Sequence, residues 1–113
     1  MRELKFRAWG NHIKEYLGTS ILDIASILGD LLKQGNWTIE QYTGLKDKNG
    51  KEIYEGDIVV NTYYDDGEMY KVLWVDDSVA FGMESLDDME LYKLPLESLE
   101  VIGNIHENAE LLG

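Results

Sequence analysis

The sequence predicts a mainly β protein with a minor α component, arranged as a meander or small barrel with one amphipathic helix near residues 20–33. Turn-forming residues recur about every 8–12 positions in the second half of the chain, with strand-forming segments between them, which is typical of such β folds. Apolar residues three and four positions apart predict the helix. With 113 residues the chain is expected to form a single domain, residues 1–113; two small lobes, about 1–45 and 46–113, are the alternative.

The N-terminal segment predicts a strand. Apolar and basic side chains alternate over residues 4–9, which is the period of a half-buried strand. We expect the apolar side chains to face the core and the basic ones to face solvent: Leu4, Phe6 and Ala8 inwards, Lys5 and Arg7 outwards.

Residues 20–33 predict an amphipathic helix, because apolar side chains recur at helical spacing from Ile21 to Leu32. Ser20 followed by Asp23 is an acidic variant of the capping box at the start of a helix. Gly35 is placed to be the cap at its end. Packing against the core is the favoured role of the apolar stripe, ahead of binding a partner.

From residue 37 the pattern is that of a β protein. Residues 37–42 are rich in strand formers, and Asn49-Gly50 predicts a hairpin because both residues tolerate positive φ. The chain is expected to return as a strand over residues 51–54 and to turn at Gly56, which can adopt a left-handed conformation. A further strand follows this turn.

Three pairs of adjacent aspartates recur eleven residues apart: Asp65-Asp66, Asp76-Asp77 and Asp87-Asp88. Strand-forming segments at 70–75 and 79–83 lie between them, so we expect the aspartates to occupy the bends of an ordered sheet. The strand at 70–75 is mostly apolar on both faces, which predicts a central position. Pro95 interrupts the pattern, a last strand follows, and residues 107–113 are expected to be frayed or to form a short helical turn.

The charge is acidic and unevenly placed. Ten basic and 22 acidic side chains give a net charge of −12, of which residues 1–60 carry −1 and residues 61–113 carry −11. Such a surface disfavours direct nucleic-acid binding and adsorption to anionic membranes, and favours basic proteins or divalent cations as partners. The absence of cysteine excludes a disulfide framework and a cysteine nucleophile. Without an export signal or a membrane-spanning segment, a cytoplasmic location is expected.

No motif predicts chemistry. The sequence has no glycine-rich phosphate-binding motif and no metal-ligand spacing around its two histidines, His12 and His106. The segment Asp65-Asp66-Gly67-Glu68 comes closest to a calcium-binding loop, but a hairpin turn is the favoured interpretation. We therefore predict no catalytic residue, no cofactor and no metal ligand.

Two groups of side chains remain as candidates for binding. The tryptophans could stack nucleobases, but such sites also need a positive groove, so core packing is predicted for all three: Trp9, Trp37 and Trp74. The aspartate pairs form a candidate acidic interaction surface: Asp65, Asp66, Asp76, Asp77, Asp87 and Asp88.

Residues 41–59 read QYTGLKDKNGKEIYEGDIV, and this run resembles the signature of the YopX family, small proteins carried mainly by phages and prophages of Gram-positive bacteria. KFRAW at 5–9 resembles the family's opening, and VIGNIHEN at 101–108 resembles its closing segment. The opening departs from the family at Gly10, where an aspartate is common. The resemblance implies an SH3-like β-barrel and a phage protein acting inside a bacterial host cell, and it carries over no catalytic residue.

Functions from three classes stay open. The favoured one is a non-enzymatic accessory module whose acidic second half engages a basic host or phage protein, in a sharper form by imitating nucleic acid. The alternative is a Mg²⁺-dependent enzyme or enzyme subunit that acts on nucleotides or nucleic acid, with Asp66, Asp77 and Asp88 converging on the metal. The third is a self-assembling protein, a homo-oligomer that pairs through exposed strand edges.

Overall fold

The computed structural model describes residues 5–17, 36–64, 66–95 and 97–112. These residues form nine strands and one 3₁₀ helix: β1 (Phe6–Gly10), β2 (Glu15–Leu17), β3 (Trp37–Lys46), β4 (Glu52–Tyr54), β5 (Asp57–Asn61), β6 (Met69–Val75), β7 (Ala80–Ser85), β8 (Leu91–Lys93), β9 (Leu99–Asn104) and the 3₁₀ helix Ala109–Leu112. The mainly β class and the short helical turn near the end are therefore confirmed. The helix predicted over residues 20–33 lies outside the described residues.

The chain divides into two compact units, Met1–Tyr42 and Thr43–Gly113. In the first unit β1 lies between β2 and β3 and is antiparallel to both. Ala8 and Trp9 on β1 are buried, as predicted.

The prediction that Arg7 faces solvent is wrong. Its side chain is only 12% exposed, and its Nε donates to Oε1 of Glu40 at 2.8 Å. The hydroxyl of Tyr16 donates to the same oxygen at 3.0 Å, and the guanidinium carbon of Arg7 lies 4.5 Å from the centre of the Tyr16 ring. Alternation along one strand did not reveal this, because the carboxylate that holds Arg7 comes from the neighbouring strand β3.

β3 and β4 flank the turn predicted from Asn49-Gly50, but Asp47 organises it. Oδ1 of Asp47 accepts hydrogen bonds from the backbone N–H of Asn49 at 2.8 Å and of Lys51 at 2.9 Å. Oδ2 accepts from the N–H of Val101 on β9 at 3.0 Å. Gly50 has a positive φ of 86° whereas Asn49 does not, so the turn differs from the two-residue type that the dipeptide predicts.

The second unit contains a five-stranded antiparallel sheet in the order β8-β7-β6-β5-β9. The strands β5 to β8 form a meander with β6 in the centre, as predicted. β9 then returns to pair with β5, with an irregularity in register between Ile58 and Val59. One of the two antiparallel sheets is curled into a half-barrel, which confirms the prediction of small barrel-like sheets.

The core of the second unit is a cluster of buried apolar side chains: Ile53, Val59, Tyr70, Val72, Met83 and Leu99. Val72 and Met83 are direct cross-strand partners, so they lie on the same face of the sheet. Trp74 is 38% exposed, and its ring packs edge-on against Phe81 with centroids 5.0 Å apart. Core packing is therefore the wrong prediction for Trp74, because it lies one residue from the end of β6, next to a solvent-exposed turn.

Candidate functional site

The register between β6 and β7 gives the five-stranded sheet two distinct ends. Tyr70 pairs with Ser85 at one end, and Val75 pairs with Ala80 at the other. Five residue steps separate Tyr70 from Val75 along β6, so these ends are about 17 Å apart at roughly 3.3 Å per residue. They are called the Tyr70 end and the Val75 end below.

The predicted acidic surface is split between these ends. Asp66 precedes β6, and Asp87-Asp88 follows β7, which places these three side chains at the Tyr70 end. Asp76-Asp77 forms the turn between β6 and β7 at the Val75 end. All five of these side chains are exposed, whereas Asp65 lies outside the described residues.

Two of the aspartates at the Tyr70 end also shape their own turns. Oδ1 of Asp66 accepts a hydrogen bond from the backbone N–H of Glu68 at 3.0 Å, across Gly67, whose φ is 68°. Oδ1 of Asp88 accepts from the N–H of Glu90 at 2.9 Å. Such side-chain to backbone bonds are the reason that aspartate is frequent in turns. The turn interpretation of the Asp65–Glu68 segment therefore agrees with the described residues.

A cleft of about 400 Å³ opens at the Tyr70 end, entirely within the second unit. Tyrosines and carboxylates supply much of its lining: Tyr64, Tyr70, Tyr92, Asp66 and Glu68. Its remaining lining residues are Asn61, Met83, Lys93 and Pro95. A concave site with apolar walls and a few placed polar groups is the usual form of a binding site.

Glu68 is held in the cleft by two hydroxyl groups. Oε2 accepts a hydrogen bond from the hydroxyl of Tyr70 at 3.2 Å, and Oε1 accepts from Oγ of Ser85 at 2.6 Å. Ser85 is fully buried, and its Oγ also accepts from the backbone N–H groups of Asp87 at 3.2 Å and Asp88 at 3.4 Å. One buried serine thus couples the Glu68 carboxylate to the turn that carries the Asp87-Asp88 pair.

The surroundings of Tyr70 keep its hydroxyl neutral. Burial, the hydrogen bond to Glu68 and the negative charges of Glu68 and Asp66 raise the pKa of Tyr70 to about 12. The ring of Tyr70 also meets the ring of Tyr92 edge-on, with centroids 5.6 Å apart. The hydroxyl therefore remains a hydrogen-bond donor to Glu68 over the physiological pH range.

Tyr92, which is 44% exposed, lies in the same negative field. The charge of Asp88 is the largest cause that raises its pKa, followed by burial and by the charges of Glu68 and Glu90. Carboxylates from the segment before β6 and from the segment between β7 and β8 thus act on the same tyrosine. The cleft is a place where a cation would be stabilised.

Other kinds of site find less support. Within residues 5–17, 36–64, 66–95 and 97–112, no three histidine, aspartate or glutamate side chains are grouped so that they could hold a metal ion. His12 is exposed, and its Nδ1 lies 3.1 Å from the carbonyl oxygen of Asn36. His106 lies in the turn after β9, where its backbone N–H donates to Asn104.

In the part of the chain that the structure describes, none of the helices has the length and apolar character needed to cross a membrane.

The family model of the YopX protein matches residues 19–113, which is most of the chain. The chain belongs to the YopX family. It is also similar to a solved structure, described as the crystal structure of protein EF1440 from Enterococcus faecalis. The sequences are 30% identical, the TM-score is 0.69, and the match covers 100% of both chains. No curated protein matches the sequence.

The YopX signature run at 41–59 and the cleft do not overlap. The run forms the second part of β3, all of β4 and the first part of β5, whereas the cleft lining begins at Asn61. The acidic side chains of the run that are buried bind backbone: Asp47 as described above, and Asp57 by accepting from the N–H of Tyr54 at 2.8 Å. These signature residues therefore maintain the fold of this YopX protein.

Sequence reasoning missed two residues of the cleft lining, Glu68 and Tyr92, and the buried Ser85 that donates a hydrogen bond to Glu68. Glu68 and Tyr70 are two residues apart, which places them on one side of an extended segment. A four-residue turn at residues 76–79 pairs Tyr70 with Ser85, as observed. The spacing and the length of the turn are together the sequence signal that brings these residues to one place.

Proposed function

We propose that this YopX protein is a non-enzymatic phage accessory protein that binds a basic protein through the Tyr70 end of its five-stranded sheet. The distribution of charge between the two compact units carries the proposal. Residues 1–42 contain five basic and five acidic side chains, and residues 43–113 contain five basic and 17 acidic ones. The second unit therefore holds the entire net charge of −12. Charge of one sign concentrated in this way attracts and steers partners of the opposite sign.

At the Tyr70 end, acidic side chains line a concave surface. Four described carboxylates line the cleft or act on Tyr92 in its lining: Asp66, Glu68, Asp88 and Glu90. Of the two basic residues in 61–113, Lys71 pairs with Glu84 at 3.7 Å, and Lys93 lines the cleft. The carboxylates outnumber the cations there, which supports binding of a basic partner.

The geometry does not favour the Mg²⁺-dependent enzyme. Asp66 and Asp88 lie at the Tyr70 end, but Asp77 lies at the Val75 end of the same strands. Mg²⁺ binds its oxygen ligands at about 2.0–2.1 Å, so these three carboxylates cannot share one ion across the length of β6. The non-enzymatic proposal needs no such convergence.

The test removes equal charge from the two ends. One double variant is Asp66→Asn with Asp88→Asn, and the matched control is Asp76→Asn with Asp77→Asn. A partner is isolated from a bacterial lysate with the wild-type protein and purified, and its dissociation constant is measured for all three proteins over a range of NaCl concentrations. We expect about tenfold weaker binding in the Tyr70-end variant alone, equal to about 1.4 kcal/mol. Wild-type binding is expected to weaken steadily as salt rises.

Two results would contradict the proposal: binding that is indifferent to salt, or equal losses in both double variants. The nucleic-acid mimic is tested with the same partner. If that partner is a nucleic-acid-binding protein and its nucleic acid displaces the YopX protein, the mimic form is supported. Simultaneous binding of both supports recognition of the protein without mimicry.

A further inference from the structure

We propose that the cleft at the Tyr70 end binds the guanidinium group of an arginine side chain on the basic partner. This inference rests on the proposed function for the source of the arginine, but the chemistry of the cleft can be tested without the partner. Guanidinium binding draws on two features that occur together here, namely aromatic ring faces and a carboxylate fixed in position.

The tyrosine rings provide the first feature. Tyr64 and Tyr92 are 57% and 44% exposed, so both rings can be reached from solvent. Tyr92 also meets the buried Tyr70, with ring centroids 5.6 Å apart and planes at 83°. A cation is attracted to a ring face within about 6 Å of its centre, and the planar guanidinium of arginine can also stack on it.

Glu68 provides the second feature. Each of its carboxylate oxygens already accepts a hydrogen bond, from Tyr70 and from Ser85. These bonds fix the orientation of the carboxylate before a ligand arrives, which lowers the entropy lost on binding. Each oxygen retains a further lone pair for an N–H donor, and a guanidinium presents its donors in a planar fork that matches a carboxylate.

The cleft also contains a competitor for the ligand. Lys93 is the single positively charged side chain among the lining residues that the structure describes, which also include Asp66 and Glu68. Its ammonium group repels an incoming guanidinium. Replacing Lys93 with a neutral side chain is therefore expected to strengthen binding, an effect that a damaged fold would not produce.

The probe is the tripeptide acetyl-Gly-Arg-Gly-amide, and the control ligand carries citrulline, the neutral isostere of arginine, in place of arginine. Each is titrated into the full-length protein at low ionic strength, and binding is followed by NMR chemical shifts of the tyrosine rings. The arginine tripeptide is expected to shift the resonances of Tyr64, Tyr70 and Tyr92 along one saturable curve. The citrulline tripeptide is expected to bind at least about fivefold more weakly, because it has no charge.

Three variants complete the test. Glu68→Gln keeps the size of the side chain and one acceptor for Ser85, and is expected to weaken binding of the arginine tripeptide by fivefold or more. Lys93→Gln is expected to strengthen it about twofold. Asp77→Asn removes one charge at the Val75 end, and its affinity is expected to match that of the wild type.

The outcomes separate this inference from the proposed function. Equal binding of the two tripeptides, or unchanged affinity in Glu68→Gln, would overturn the arginine site. The proposed function would then still stand if binding of the partner weakened with salt and if only the Tyr70-end double variant lost affinity for it. Conversely, selective binding of the arginine tripeptide supports the arginine site in the cleft. This holds even if the two double variants bind the isolated partner equally, a result that would contradict the proposed function.

Discussion

At the scale of single residues, the partners of a carboxylate distinguish a role in folding from a role in binding. Asp47 is 7% exposed and accepts hydrogen bonds from three backbone N–H groups, so it has little capacity left for a ligand. Glu68 accepts from two side-chain hydroxyls and faces an open cleft. Both are acidic residues in segments that the sequence predicts to be turns. Their roles differ because of contacts with residues that are distant along the chain, Val101 for Asp47 and Ser85 for Glu68.

Asp47 leads to a prediction about stability and its pH dependence. Burial alone would raise the pKa of Asp47, but hydrogen bonds from the N–H groups of Val101, Lys51 and Asn49, together with the charge of Lys51, lower it overall. A lowered pKa in the folded state stabilises the fold above the unfolded value, about 3.9, and this contribution is lost as pH falls through the folded value. Asp47→Asn is therefore expected to reduce the free energy of unfolding at neutral pH by about 1–3 kcal/mol, because the amide places a donor against one of the N–H groups.

Urea unfolding followed by tryptophan fluorescence measures this effect, with Asp77→Asn as the control at an exposed turn position. The deficit of Asp47→Asn relative to the wild type is expected to shrink as pH falls below about 4. A deficit that is constant down to acidic pH would show that the charge of Asp47 contributes nothing to the fold.

Tyr70 leads to a second prediction at the residue scale. Burial, its bond to Glu68 and the neighbouring charges raise its pKa to about 12, against about 10 for an unfolded tyrosine. Because the folded pKa is the higher one, Tyr70 stabilises the fold fully below about pH 10, and this contribution is lost between about 10 and 12. A titration of tyrosinate by ultraviolet absorbance is expected to show one late phase that is absent from Tyr70→Phe and moves to lower pH in Glu68→Gln. A late phase that persists in Tyr70→Phe would assign it to another tyrosine.

At the scale of elements, the local signals were sufficient for strands and turns but not for pairing partners. The meander, the central position of β6 and the aspartate-rich turns follow from residue type and spacing, and the described residues confirm them. The environments of Arg7 and Ser85 depend on Glu40 and Glu68, which are 33 and 17 residues away in the chain. Alternation along one strand cannot identify such partners, because only the register between strands brings them together.

The β6–β7 turn contains a residue with a strained backbone, and we expect its replacement by glycine to stabilise the fold. Val79 has a φ of 50° and is 73% exposed, although a β-branched side chain strongly disfavours the left-handed region. Val79→Gly removes this strain, and after the entropic cost of glycine we expect a gain of about 0.5–1 kcal/mol in the free energy of unfolding. Thermal unfolding measures it, and Val79→Ala, which keeps a Cβ atom, is expected to gain less. A loss of stability in Val79→Gly would indicate that the valine side chain makes a favourable contact that outweighs the strain.

At the scale of the whole molecule, the charge that supports binding should also weaken the fold. The second unit holds 17 acidic and five basic side chains, so its exposed carboxylates repel one another. Two such charges about 10 Å apart in water repel by about 0.4 kcal/mol, and salt at 0.1 M screens the interaction over roughly this distance. Two turns of the five-stranded sheet each carry a pair of adjacent aspartates, Asp76-Asp77 and Asp87-Asp88.

We therefore expect the free energy of unfolding to rise by about 1–2 kcal/mol between low ionic strength and about 0.3 M NaCl. Urea is the suitable denaturant, because guanidinium chloride would itself screen the charges. Asp76→Asn with Asp77→Asn is expected to be more stable than the wild type at low salt and to respond less to NaCl. A stability that falls with salt would instead show that ion pairs outweigh repulsion in this unit. NaCl is thus expected to stabilise the fold of this protein and to weaken its binding to the partner. If the complex dissociates as NaCl rises, unfolding of the acidic protein is not the cause, because that protein becomes more stable. The dissociation then reflects the loss of charge attraction at the interface.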